Sequence, residues 1–339
     1  MGHYDSLVDD LAGLFGAKSV EVGEDAVVID DASYPLVDDI IVTLPPAQWP
    51  SHVRARVGLS EGQPCPVSDG IATKIQASFG REWTEFADLL PEHRREFERY
   101  FDLIDLSRLS NSRVCDLGCG MGRWSWFLAA YCRQLVLVDF SDAIFAARRN
   151  LVHLDNAIFV LGDVAQLPFA DDSSDLIVSL GVLHHLPSNA LDSARTLARL
   201  APRALFYLYY ALDNRPMHFR VLFRFVDRVR RVLARIESST ARSAITWSIA
   251  IGAYLPLVGL GRAAEPFGCK SLVPLAETYS GMGLARIRQD VYDRFFTAIE
   301  QRFSREDILT LRDTYAQIRV APGLPYWHFV CERNESEST

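Results

Sequence analysis

The sequence predicts an α/β fold, a mostly parallel sheet with helices on both faces. Three observations carry this. Short, nearly continuous apolar runs alternate with helical stretches between residues 113 and 210, the pattern of strands buried on both sides. A glycine-rich loop, DLGCGMG, follows the first run. An acidic residue then closes each of the next two runs, and ligands in such sheets bind outside the carboxyl ends of the strands.

Taken in order, residues 1–70 read as an irregular appendage. Its one strand, Ile40, Ile41, Val42 and Leu44, is stopped by Pro45 and Pro46. The stretch LSEGQPCPVSDG marks a boundary. Residues 71–212 form the core with its leading helices. Up to Leu106 the period is helical, with Phe97, Tyr100, Phe101 and Ile104 on one side. VCDLG is then a strand and GRWSWFLAAYC a helix; QLVLVDF is a strand and DAIFAARRNL a helix. AIFVLGD and DLIVSLGVL are strands separated by the turn-like ADDSSD. ALDSARTLARL is a helix and RALFYLYYAL the fifth strand.

The alternation breaks at Asp213, and residues 213–275 read as a helical insertion. Leu222, Phe225, Val226, Val229, Val232, Leu233 and Ile236 make an apolar stripe, with Arg220, Arg224, Arg228, Arg231 and Arg235 mostly elsewhere. Residues 276–333 return to the core through a helix capped at Ser304, with Asp307 three residues on, and a last strand, PYWHFVCER. Residues 334–339 are a polar, frayed tail.

The 339 residues are 49% hydrophobic and 23% charged, an ordinary globular composition. A net charge of −8 argues against a nucleic-acid partner, although the arginines between 215 and 242 leave an RNA substrate open. The six cysteines form no Cys-x-x-Cys pair, so free, mostly buried thiols in a reducing, cytoplasmic setting are expected. MGHYDSLVDD lacks the apolar run of a secretory signal. The most apolar window, 245–261, is shorter than a membrane span and contains Pro256 and three glycines.

The glycine loop raises the question of what it holds. Gly118, Gly120 and Gly122 stand two apart, whereas a dinucleotide loop places its third glycine where this chain has Arg123. Asp116, at the strand tip, would repel a pyrophosphate and suits a cation such as an amino acid's ammonium. Asp139 ends the second strand, where an acid accepts both hydroxyls of a ribose, and Phe140 beside it can pack on a flat base. Asp163 ends the third strand; its carboxylate and the Val164 amide suit an adenine amino group and ring nitrogen. The ligand so described carries an ammonium, a ribose and a base, without phosphate.

The runs VCDLGCGMGRW, LVLVDFS and GDVAQLPFADDSSDLIVSLGVLHHLP resemble the class I S-adenosylmethionine-dependent methyltransferases, and within them the small-molecule branch of the ubiquinone and menaquinone enzymes. The likeness covers residues 110–210 closely and the last strand loosely. It implies a Rossmann-like, seven-stranded sheet whose last strand runs antiparallel, and S-adenosylmethionine as cofactor with S-adenosylhomocysteine as product. It implies that Asp116, Gly118, Cys119, Gly120 and Gly122 face the methionine part, Asp139 the ribose, and Asp163 and Val164 the adenine, with Leu180 on the fourth strand end. SFGREWTEF resembles cofactor-closing helices of related enzymes, which places Phe79 and Trp83 near the cofactor or as anchors of the leading helices. The first 70 residues loosely resemble a zinc-binding leader whose ligands are missing here, with Cys65 alone, so no metal is expected.

For the acceptor, a small molecule is expected, methylated on oxygen, nitrogen or carbon. His184 and His185 stand where a base reaches an acceptor hydroxyl, or else shape the loop. Tyr209, Tyr210 and His218 are candidates for the acceptor pocket, with strand alternation turning only one of the two tyrosines inward. Asp290, Tyr292, Asp293 and Arg294 read as acceptor-recognition residues or as a salt-bridged connector. The insertion has three readings: a lid over the acceptor, a homodimer surface, or an arginine-rich helix on an anionic membrane. A nicotinamide-dependent oxidoreductase and a catalytically silent binding protein are the competing functions; the glycine spacing and Asp116 speak against the first.

Overall fold

A computed structural model describes residues 2–58, 76, 80, 88–212, 217–236, 238–297, 299–322 and 327–334. The chain opens with helix α1 (Val8–Phe15) and the short strands β1 (Val20–Val22), β2 (Ala26–Ile29), β3 (Ala32–Val37) and β4 (Ile40–Val42). Helices α2 (Ser51–Arg56) and α3 (Glu92–Tyr100) lead to β5 (Arg113–Leu117). Then come α4 (Arg123–Leu128), β6 (Gln134–Asp139), α5 (Ala143–Asn150), β7 (Ala157–Leu161), β8 (Leu176–Leu180), α6 (Ala190–Leu197) and β9 (Arg203–Leu208).

One sheet holds these strands in the order β1-β2-β3-β4-β7-β6-β5-β8-β9, followed by two later ones. From β4 to β9 every neighbouring pair is parallel. The later strands, β10 (Gln317–Val320) and β11 (Trp327–Glu332), close the other edge, with β11 antiparallel to both β9 and β10. The seven strands implied by the resemblance are all present. Four more extend the sheet, because the amino-terminal region is no irregular appendage.

Its strands are only three to six residues long, which hides their period in the sequence. The turn from β3 to β4 is Asp38-Asp39, both with φ > 0, the two-residue hairpin geometry that matches strand twist. Leu11 and Leu14 of α1 are fully buried in the core. The Tyr4 hydroxyl donates to the Asp39 carbonyl at 2.7 Å and accepts from the Phe159 amide at 3.1 Å, fastening the chain start to β7.

Both faces of the sheet are covered. In β6, Val136 and Val138 join one apolar layer while Leu135 and Leu137 join the other, all fully buried. The five described cysteines are free, four of them buried. Cys65, Phe79 and Trp83 lie outside the described residues.

The insertion begins with α7 (Met217–Leu233) and continues through α8 (Ser239–Ile249), a π turn (Ala250–Tyr254) and α9 (Leu255–Ala264). With the 3-10 turn Glu265–Phe267, the last three form one helix, Ser239–Phe267, of 29 residues, longer than the 245–261 window suggests and sufficient in length and apolarity to cross a membrane. After α10 (Ala276–Tyr279) comes α11 (Leu284–Phe296), which does not return to the sheet as expected from residue 276. Its Ile287, Val291, Tyr292, Phe295 and Phe296 form a separate apolar core with Ala250, Tyr254, Val258 and Tyr279. The chain regains the sheet only at Phe303, which bridges Tyr210. Helix α12 (Arg305–Leu309) then starts with the expected capping box, Ser304 Oγ accepting from the Asp307 amide at 3.1 Å and Asp307 Oδ2 from the Ser304 amide at 2.7 Å.

Candidate active site

The glycine loop is built by the sheet beneath it. The amides of Gly118 and Cys119 both donate to the Val138 carbonyl, at 2.7 and 3.0 Å, which folds the loop over the adjacent strand. Gly118 has φ of 75°, and a Cβ there would lie 2.3 Å from Val182 Cγ2, so no other residue fits. Gly122 has φ of 80° and caps α4; a Cβ would meet Leu151 at 2.9 Å, so its role is to let α4 approach α5.

Asp139 stands at the tip of β6, tied to that loop. Its Oδ2 accepts from the Gly120 amide at 2.8 Å, and its Oδ1 from the Ser141 amide and hydroxyl at 2.8 and 2.7 Å. Burial raises its pKa, against the pull of these donors. Each oxygen of an ionised carboxylate has two acceptor sites, so Oδ1 is filled and one site remains on Oδ2 for a further hydroxyl.

A cavity of about 670 Å³ lies above these strand ends, within the size of small-molecule sites. Gly118, Cys119, Gly120, Asp139, Phe140, Asp163, Val164 and Leu180 line its sheet side. His185, Tyr209 and Tyr210 follow along the same wall. Both tyrosines face it because β9 ends at Leu208, so alternation no longer applies. The opposite wall comes from the insertion. Phe219, Leu222, Phe223, Val226, Ile249 and Leu257 form its apolar part, and Arg286, Asp290, Asp293, Arg294 and Arg302 its charged part.

Five expected residues sit elsewhere. Asp116 is buried beneath the loop, accepting from the Ser125 hydroxyl at 2.7 Å, with its pKa raised by burial from 3.8 to about 7. Gly122 packs helices, as above. His184 is fully buried behind the wall, its ring stacked 4.0 Å from that of Tyr209; burial, with His185 beside it, holds its pKa well below the ordinary value. It stays neutral and lies away from the cavity, so the catalytic expectation for it is corrected. His218 is exposed on α7, against the Leu272 carbonyl at 3.3 Å, because the helix turns Phe219 inward instead. Tyr292 belongs to the insertion's own apolar core, whereas its neighbours Asp290, Asp293 and Arg294 reach the cavity.

His185 is held in a definite orientation. Its Nδ1 lies 2.7 Å from the Ile299 carbonyl, which only accepts, so Nδ1 carries the proton and Nε2 the lone pair. The Tyr209 hydroxyl donates to Asp293 Oδ2 at 3.0 Å, and burial followed by the Asp293 charge raises its pKa, keeping it a donor. Arg286 grips Glu96 of α3 through Nε–Oε1 at 2.8 Å and Nη2–Oε2 at 3.2 Å and also pairs with Asp290. Burial opposes that charge, but Asp290 and Glu96 together outweigh it. Arg123 lies 4.0 Å from Glu96 and 4.3 Å over the Trp124 ring. The residue whose side chain displaces the third dinucleotide glycine thus lines the cavity and joins the cover's charge cluster.

Sequence reading missed several wall residues. Gln76 donates to the Phe140 carbonyl at 2.8 Å, and Tyr100, Tyr207, Tyr254 and Tyr279 contribute rings. Tyr207 was legible as the alternate residue of β9; the others come from elements remote in sequence.

Residues 114–202 match the model of a family described as a methyltransferase domain. The segment is a class I S-adenosylmethionine-dependent methyltransferase domain. Phosphoethanolamine N-methyltransferase 1 of Caenorhabditis elegans is 22% identical over 242 residues, 58% of this chain and 49% of that protein. Demethylmenaquinone methyltransferase of Clavibacter sepedonicus is 37% identical over 87 residues, 25% of this chain and 36% of that protein. The chain therefore spans about half or less of these relatives' lengths. Among solved structures, the N-methyltransferase NodS of Bradyrhizobium japonicum with S-adenosylhomocysteine is 26% identical, with 42% of this chain and 77% of that one covered at a TM-score of 0.34.

The cofactor of this methyltransferase domain is S-adenosylmethionine, and the residues present fit it. The pinned Asp139 carboxylate suits the ribose, and Asp163, Val164 and Phe140 surround room for a base. The glycine loop leaves backbone exposed to the cavity where side chains would block approach.

Proposed function

We propose that the protein transfers a methyl group from S-adenosylmethionine to an oxygen, nitrogen or carbon of a small-molecule acceptor. The observation that carries this is a cavity shared by the cofactor residues of the sheet and by His185, Tyr209 and the helical cover. When bound, the cofactor supplies an electrophilic methyl on a sulfonium. Asp139 and the glycine loop would hold that cofactor, and its methyl would be available to an acceptor oxygen, nitrogen or carbon in the same cavity.

The protein's part is mainly positioning, which accounts for most of the rate in such in-line displacements. Asp139 and the loop hold the cofactor's end of the cavity. Tyr209, fixed by Asp293, and Tyr210 orient the acceptor against the sheet wall. His185 takes a proton on Nε2 from an acceptor hydroxyl, with Ile299 stabilising the imidazolium through Nδ1. The apolar wall and the charged cluster together fit an amphiphilic acceptor such as a secondary metabolite, a glycan or a quinone-like compound.

Calorimetry tests the cofactor half of this reading. S-adenosylhomocysteine is expected to bind, NAD is not, and Asp139→Ala is expected to lose far more affinity than His185→Ala. Equal affinities of the two variants would exclude the ribose assignment. Release of S-adenosylhomocysteine during turnover with a panel of acceptors tests the catalytic half; His185→Ala should lower that turnover by about a hundredfold or more for a hydroxyl acceptor.

A further inference from the structure

The outer surface of the helical cover carries exposed apolar side chains beside a row of arginines. On α7, Val221, Phe225 and Val232 are 59, 63 and 63% exposed, and their spacing puts them on one face. Beside them runs a second exposed row, Arg220, Arg224, Arg228, Arg231 and Arg235. Residues 217–236 contain six arginines against one acid, Asp227, a local charge of +5 in a chain of net −8.

The long second helix repeats the apolar feature. No charged residue occurs between Ala244 and Gly261, yet Ile251 and Leu260 are 52 and 58% exposed. Single exposed apolar residues are ordinary; two neighbouring helices that both present them are not. Leu222 of α7 and Ala253 of the second helix line the cavity and are themselves exposed, so the cavity reaches the surface between these helices.

We propose that this face docks on an anionic lipid bilayer, with the apolar stripes in the interfacial layer, the arginine row on the headgroups, and the cavity mouth toward the lipid. Charge selects this occupant. A second copy would bring a face of the same +5 charge against this one, whereas anionic headgroups neutralise it. The Ser239–Phe267 helix lies along the bilayer instead of crossing it, because Ala250, Tyr254 and Val258 on its other side are buried against α11.

Cosedimentation of the full chain with phosphatidylcholine vesicles, with and without phosphatidylglycerol, tests the proposal. The protein should pellet with the anionic vesicles and be released by added salt. Arg224→Gln and Arg228→Gln should each weaken binding about fivefold. Phe225→Asp combined with Ile251→Asp should abolish pelleting while leaving S-adenosylhomocysteine affinity unchanged, which shows that the variant is folded. Three results would overturn the idea: no pelleting with anionic vesicles, equal pelleting with neutral ones, or a dimer in sedimentation equilibrium that Phe225→Asp dissociates. Vesicle binding is read separately from turnover, so its failure leaves the methyl-transfer reading untouched.

Discussion

Asp116 and Asp139 are both buried, but only Asp139 lies on the cavity. Asp139 faces the cavity and is held by three donors, whereas Asp116 lies beneath the loop with one hydroxyl and a pKa near 7. The raised value means that folded Asp116 keeps its proton to higher pH than the unfolded chain does. Folding is therefore weakened progressively as pH rises from the ordinary carboxylate range toward 7. Asp116→Asn removes that loss. Without ligand it should be more stable than the parent by roughly 2–4 kcal/mol at about pH 8, with the difference shrinking toward about pH 4. Urea denaturation at both pH values checks this; a pH-independent difference would assign the shift elsewhere. The composition of the loop was legible at this scale, but the choice between facing a ligand and facing the core was not. Both acids end or nearly end a buried strand, and only the fold of the loop decides which carboxylate reaches the open side.

Among elements, Glu96 is the point where three helices meet. It lies on α3, is 6% exposed, and accepts from Arg286 of α11 with Arg123 of α4 beside it. His93, one turn away, is driven by burial and by the Arg123 and Arg286 charges to a pKa of about 3, as a neutral ring beside a cationic cluster should be. Glu96→Gln leaves two buried guanidiniums under-compensated and should cost about 3 kcal/mol in urea denaturation. A loss below about 0.5 kcal/mol would mean that Asp290 alone balances the cluster. The core strands and the Ser304 capping box were readable because period and end signals are local. The strands β1–β3 were not, being too short to show a period, and neither was the detour of α11 away from the sheet, because its apolar residues face a second core that local pattern cannot distinguish from the first.

For the whole molecule, the cavity lies between the methyltransferase domain and its helical cover. Filling it should slow amide exchange in α7, the Ser239–Phe267 helix and α11, while the edge strands β1 and β2 keep their rates. Hydrogen exchange with and without S-adenosylhomocysteine measures this. Protection confined to the sheet would show that the cover takes no part in cofactor closure. Residues of the insertion, Phe219, Leu222 and Ile249 among them, stand on the cavity wall.

What the sequence determined by itself is the ligand-facing edge: strand, glycine loop and acidic strand ends lie within about a hundred residues and follow local rules of turn and period. Only the tertiary structure decided the opposite wall. Arg286, Asp293 and Arg294 reach the cavity from a helix far from the glycine loop in sequence, and which side of that helix faces inward depends on packing against the insertion's own core. Periodicity reports that a face is apolar; it does not report which of two cores that face will meet.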